Sequence, residues 1–255
     1  MLLVISPSKT QDFSPPSSLQ FSHIRQISEA EQLVELLRAK SESQIASLMS
    51  ISEKLAKLNY DRFQSFSTPL SLENAKQAIL AFKGDVYNGI DASSLTQRDL
   101  DFAQKSLRMI SGLYGVIRPL DLIAPYRLEM STKIINGEGN NLYKFWGDKI
   151  SQTLNEDESN TIINLASNEY FKAIDKKTLK AKVINIIFKE KKNGSYKVIG
   201  IYAKRARGLM TRYAIDNRLV EPEELQYFDV EGYRYNPDSS DDINWIYTRD
   251  TISRL

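Results

Sequence analysis

The apolar residues of this 255-residue chain change their spacing part-way along, and that change constrains the fold more than any other feature. Over the first 155 residues they recur mostly at helical intervals. Ile45, Leu48, Met49, Leu55 and Leu58 follow a capping Ser41, and Leu72, Ala75, Ile79 and Phe82 lead to Gly84, read as a helix end. Thr96 and Asp99 make a capping-box start to a helix running towards Gly112. Leu142, Phe145, Trp146, Ile150 and Leu154 form a further stripe. Only Leu2–Ile5, a short apolar run ahead of an irregular Ser/Pro stretch over 12–28, reads as a strand in this half. From Thr161 the pattern is short and β-rich: Thr161–Leu165, Val183–Phe188, Tyr196–Tyr202, Tyr227–Tyr235 and Ile243–Tyr247. Asn193-Gly194 accepts the positive φ angles of a tight turn and predicts a hairpin. The expectation is an α+β fold spanning 1–255 as one compact body, helix-rich in its N-terminal half and strand-rich in its C-terminal half.

Composition removes several chemistries. There is no cysteine and one histidine, His23, in a Ser/Pro-flanked stretch. Disulfide scaffolds, thiolate zinc sites, iron–sulfur clusters and cysteine nucleophiles are excluded, and a Ser-His-Asp triad would depend on that one poorly placed imidazole. Any iron site would be mostly carboxylate oxygen, a poor basis for selective Fe(II) binding. No cofactor and no stable metal cluster are expected. No apolar run approaches the ~18 residues of a membrane span, and Met1–Pro7 is too short for a signal peptide, so a cytoplasmic monomer with no membrane partner is expected.

The net charge of +2 hides an asymmetry. Lys172–Arg218 holds 14 Lys/Arg against 3 Asp/Glu, and Leu219–Leu255 holds 3 basic against 9 acidic residues. Such a block is either a solvated face or the footprint of an anionic partner, and the acidic tail can fold back on it. Within it, Ala206, Leu209, Met210 and Tyr213 mark the apolar face of a helix over Ala203–Asn217. Lys204, Arg205, Arg207 and Arg212 occupy the opposite arc, near the helix N-terminus where amides also favour anions, and Gly208 permits close approach of a ligand or backbone.

Two further features bear on chemistry. Gly112 and Gly115 in Ser111–Pro119 suit a tight turn that offers amides to a phosphate, with Arg118 in support; a helix C-cap followed by a loop fits the same spacing. Four polar-aromatic loop clusters stand at element ends, where sites are commonly built. They supply the phosphate binders Lys9, Lys83 and Arg127 and a pocket set of Asp85, Tyr87, Glu129, Asn168, Glu169 and Tyr170. There is no Walker A loop, dinucleotide fingerprint or metal-ligand spacing.

The strings SPSKT, FKGDVYNG, SGLYGVIRPLD, PYRLEM, LYKFWGD, INLASNEYFK and AKRARGLMTR, in that order from Ser6 to Arg212, resemble the YaaA family of bacterial peroxide-stress proteins. The resemblance implies a mixed α/β body, protection against hydrogen peroxide, limitation of free intracellular iron, and binding of double-stranded or distorted DNA through a positive cleft and a helix-hairpin-helix element. That element would map onto Gly112–Gly115. No catalytic residues come with it. The resulting expectation is a cytoplasmic DNA-binding protein of the peroxide response with an indirect effect on iron. The alternative is an enzyme acting on a nucleotide or damaged DNA through a Lys/Asp/Glu/Tyr pocket.

Overall fold

The order of the strands in the main sheet decides where a ligand can sit. In the computed structural model, which describes residues 1–14 and 20–250, the strands are β1 (Leu2–Ile5), β2 (Lys76–Gln77), β3 (Leu107–Ser111), β4 (Gly115–Ile117), β5 (Leu122–Ile123), β6 (Thr161–Asn164), β7 (Lys182–Lys192), β8 (Ser195–Lys197), β9 (Arg234–Tyr235) and β10 (Asn244–Arg249). Residues 15–19 of the expected Ser/Pro stretch and 251–255 of the acidic tail lie outside the described residues. Eight strands form one sheet in the order β4-β3-β1-β6-β7-β10-β9, with β8 paired to β7; β2 and β5 pair separately. The central run β3-β1-β6-β7-β10 is parallel, while β4, β8 and β9 join antiparallel at its margins. The body is therefore α+β, and its parallel centre arises because β1 and β3 are buried along their whole length.

The helices are α1 (Ile27–Arg38), α2 (Glu42–Met49), α3 (Glu53–Ser65), α4 (Ala78–Ala81), α5 (Asp85–Ile90), α6 (Gln97–Ser106), α7 (Leu142–Trp146), α8 (Lys149–Asn155), α9 (Asn168–Phe171) and α10 (Gly200–Asp216). Local signals account for several. Ser41 caps α2 in a capping box with Gln44, and Thr96 does the same for α6 with Asp99. The stripe expected after Ser41 is split in two by Ser50 in the left-handed conformation, and Leu55 and Leu58 face solvent. The stripe from Leu142 is split at Gly147, also at positive φ. Gly84 does not end a helix: at φ +106° it caps the start of α5.

Strands also differ from expectation. The helix from Thr96 stops at Ser106, and Leu107–Ser111 becomes a central strand. Asn193-Gly194 does turn the chain between β7 and β8, but β8 ends at Lys197 and α10 begins at Gly200. Of the expected strand Tyr227–Tyr235 only Arg234–Tyr235 forms. The segment Gly112–Gly115 joins β3 to β4 as a β-hairpin, so both flanks are strands and no helix-hairpin-helix is formed there. No helix among the described residues is long and apolar enough to cross a membrane.

Candidate functional site

The chain lays β3 on one side of β1 and, later, β6 on the other. The carboxyl ends of β1 and β6 thus mark a switch in the direction of winding, and at such points the diverging loops leave a crevice outside the sheet. Here the loop after β1 and the loop after β6 are tied together. The Ser167 amide donates to Ser6 Oγ at 2.9 Å, and Ser6 Oγ donates to Ser167 Oγ at 3.3 Å. Buried Tyr87 of α5 donates its hydroxyl to the Ser6 carbonyl at 2.9 Å, fixing a third element to the same corner.

A pocket of about 460 Å³ opens at this corner. Its walls are Ser6–Thr10, Lys83–Tyr87, Leu165, Ser167, Glu169 and Tyr170 after β6, and Lys204 and Arg207 of α10. Helix α10 reaches it through a close crossing with α5, where Gly208 lies against the Val86 carbonyl: a Cβ at Gly208 would stand 1.9 Å from that oxygen. The close approach inferred for Gly208 is thus to backbone. The apolar face of α10 is interior at Ala206 and Met210 and half-buried at Leu209 and Tyr213.

The cations at the pocket differ in how they are held. Lys9 pairs with Glu129 at 2.7 Å, and Lys83 stands 3.8 Å from half-buried Asp12. Neither Lys204, which is exposed, nor Arg207 has a carboxylate partner among the described residues, and Arg207 Nε is buried with no hydrogen bond. Burial pulls the Arg207 guanidinium below its ordinary pKa. A buried donor without an acceptor costs free energy, and an anion in the pocket can supply one.

Carboxylates and phenols share the space. Glu169 accepts from the Ser131 amide and hydroxyl at 3.1 and 2.9 Å, and Asp85 opens α5 on the facing wall. Burial pushes the Tyr87 and Tyr170 hydroxyls well up, so both remain protonated hydrogen-bond donors at neutral pH. Among the described residues no group of three or more His, Asp or Glu side chains is placed to hold a metal ion.

Of the expected site residues, Lys9, Lys83, Asp85, Tyr87, Glu169, Tyr170, Lys204 and Arg207 meet at this pocket. Arg127 and Glu129 lie in an adjoining cleft that shares Lys9 and Tyr170 with it. Asn168 begins α9 but is exposed and does not line the space. Arg205 bonds Glu231 at 2.6 Å, and Arg212 bonds Asp216 and the Ile90 and Asp91 carbonyls, so both staple α10 to its neighbours. Arg118 is held by fully buried Asp121 at 2.9 Å and by the His23 carbonyl.

The glycine hairpin is interior. The Leu113 and Tyr114 amides donate to Ser111 Oγ and the Val116 amide to Gln26 Oε1, which leaves those amides committed within the protein. A Cβ at Gly112 would meet the Leu128 carbonyl at 2.4 Å, and Gly115 has φ +66° beneath Gln26 and Trp146. Both glycines are required by packing. The loop serines Ser6, Ser8 and Ser167 were not singled out from the sequence; their place directly after apolar runs was the available signal.

Residues 1–239 match the family described as "Peroxide stress protein YaaA". The chain belongs to this family. Proteins named only as UPF0246 proteins are similar along nearly its whole length. That of Acaryochloris marina is 52% identical over 251 residues, covering 98% of this chain and 100% of the relative. Those of Hahella chejuensis and Teredinibacter turnerae are 50% and 49% identical, over 98% of this chain and 100% and 99% of the relatives. Membership supports a role in peroxide stress, and the pocket-lining strings SPSKT and FKGDVYNG fall within the matched residues.

Proposed function

We propose that this YaaA-family protein serves the peroxide-stress response by binding nucleic acid, and that the pocket at the sheet's switch point takes one phosphate-bearing nucleotide. The observation that carries this reading is the pair Lys204 and Arg207, cations without a carboxylate partner among the described residues, which line one 460 Å³ space together with Lys9 and Lys83. A volume of this size suits a single nucleotide rather than a duplex, so the target is a strand end, an unpaired nucleotide or a base turned out of distorted DNA. The proposal places this activity in the cytoplasm, with the monomer as the working unit and any effect on iron indirect, through the nucleic acid that is shielded.

The test is binding of a labelled oligonucleotide as a function of salt. Each phosphate neutralised contributes about −0.7 to −0.9 to the log–log slope. Lys204→Gln with Arg207→Gln should weaken binding and flatten the slope by about two such contacts. An unchanged slope in a folded double variant removes the pocket from the binding surface.

Glu169 and Asp85 support a second reading, in which the bound nucleotide is also a substrate. Two carboxylates beside lysines and protonated tyrosines exceed what phosphate binding needs, and supply acid–base groups. Incubation with nucleotides and oxidised oligonucleotides, read by mass spectrometry, separates the two. A new product that disappears in Glu169→Gln while binding persists assigns catalysis.

A further inference from the structure

The cleft beside the pocket is built like an anion site and is filled by the protein's own carboxylate. Glu129 Oε2 lies 2.7 Å from Lys9 Nζ, and Oε1 lies 2.9 Å from Arg127 Nη2. Arg127 is largely buried, and its Nε is a buried donor with no hydrogen-bond partner among the described residues, so its fork is only half used there. A tetrahedral phosphate can engage both edges of such a fork and the lysine together. With Glu129 in place the cleft retains about 10 Å³ of free space.

We propose that Lys9 and Arg127 form a second phosphate subsite, occupied by Glu129 until a ligand carrying two neighbouring phosphates displaces it. This rests on the nucleotide reading above and names the ligand class more closely. Three observations converge on it. Ser8, Lys9 and Tyr170 line both the cleft and the large pocket, so a group in one is adjacent to a group in the other. One carboxylate serves two cations, leaving an excess positive charge that a phosphate dianion neutralises better than a monoanion. Glu129 also has somewhere to go. It borders a separate groove of about 910 Å³ against α2, whose walls include Lys40 and Lys133.

Two neighbouring phosphates occur in a free nucleoside diphosphate and along a strand. The experiment is calorimetric titration of the full chain with inorganic phosphate, pyrophosphate and a 5′-phosphorylated dinucleotide, in the wild type, Glu129→Gln and Glu129→Gln with Lys9→Gln. Circular dichroism confirms that each variant is folded. Glu129→Gln should bind pyrophosphate or the dinucleotide about tenfold more tightly, with a smaller gain for inorganic phosphate, which can fill only one subsite at a time, and Lys9→Gln should remove the gain. A gain with pyrophosphate identifies the diphosphate source; a gain confined to the dinucleotide identifies a strand. An equal gain for inorganic phosphate, or no gain for any probe, overturns the second subsite. If the wild type still binds the dinucleotide through Lys204 and Arg207 in that case, the nucleotide reading stands; if no probe binds any of the proteins, both fail.

Discussion

Asp157 is one carboxylate between two guanidiniums. Arg108 bonds it in a bidentate pair through Nε and Nη2 at 2.7 and 2.8 Å, and Arg25 adds contacts at 3.1 and 3.4 Å. Burial pushes the Asp157 carboxyl up, but Arg108 and Arg25 outweigh this and hold it below the ordinary carboxylate range. A group depressed in the folded state contributes stability that is present above its unfolded pKa, about 3.9, and is lost as pH falls through the lower folded value. Asp157→Asn should therefore cost about 3 kcal/mol near neutrality, since it strands nearly buried Arg108, and the gap from wild type should narrow below about pH 4. Urea unfolding at the two pH values measures this, and a gap that widens on acidification would refute it. None of it was legible in the sequence. Arg108 stands in a run read as helix, and its partner is 49 residues away.

What could be read at the scale of elements was local. The cap at Ser41, the capping box at Thr96 and the Asn193-Gly194 turn involve residues within a few positions of one another, and all three formed. Leu107–Ser111 was not readable because a strand buried on both faces, with Arg108 in its middle, shows no clear alternation, and its apolar residues also continue the helix before it. The crossing of α5 and α10 depends on two distant glycines. A Cβ at Gly89 would lie 2.7 Å from the Arg205 carbonyl, and one at Gly208 would collide with Val86. Gly208→Ala should therefore force the helices apart, costing about 1–3 kcal/mol and moving Lys204 and Arg207 away from the facing loops. Thermal unfolding and oligonucleotide binding should fall together; a variant with wild-type values of both would show that the crossing does not position the site.

Across the whole molecule, the basic block expected from Lys172 to Arg218 is answered from within at its arginines more than at its lysines, since Arg205, Arg212, Arg218 and Lys191 find carboxylates among the described residues. The acidic segment after it folds back, pairing Glu231 with Arg205 and Asp250 with Lys191, while Asp99 takes Arg218. Density of charge alone therefore does not locate a binding surface, and the cations that have no carboxylate partner among the described residues and stand at the pocket carry more information than the total. Lys9, Lys83 and Lys204 come from three regions far apart in the chain, yet the loops after β1 and β6 and the α5–α10 crossing gather them at one corner. The loop clusters were visible as polar-aromatic strings; their convergence follows from the strand order, which no single string encodes. Lysine acetylation in the presence and absence of a bound oligonucleotide, quantified residue by residue by mass spectrometry, tests that convergence most directly. Bound nucleic acid should slow modification at Lys9, Lys83 and Lys204 together, and leave Lys192 and Lys197 on the exposed β7–β8 hairpin reacting as before. Protection confined to Lys192 and Lys197, with the three pocket lysines unchanged, would contradict the account.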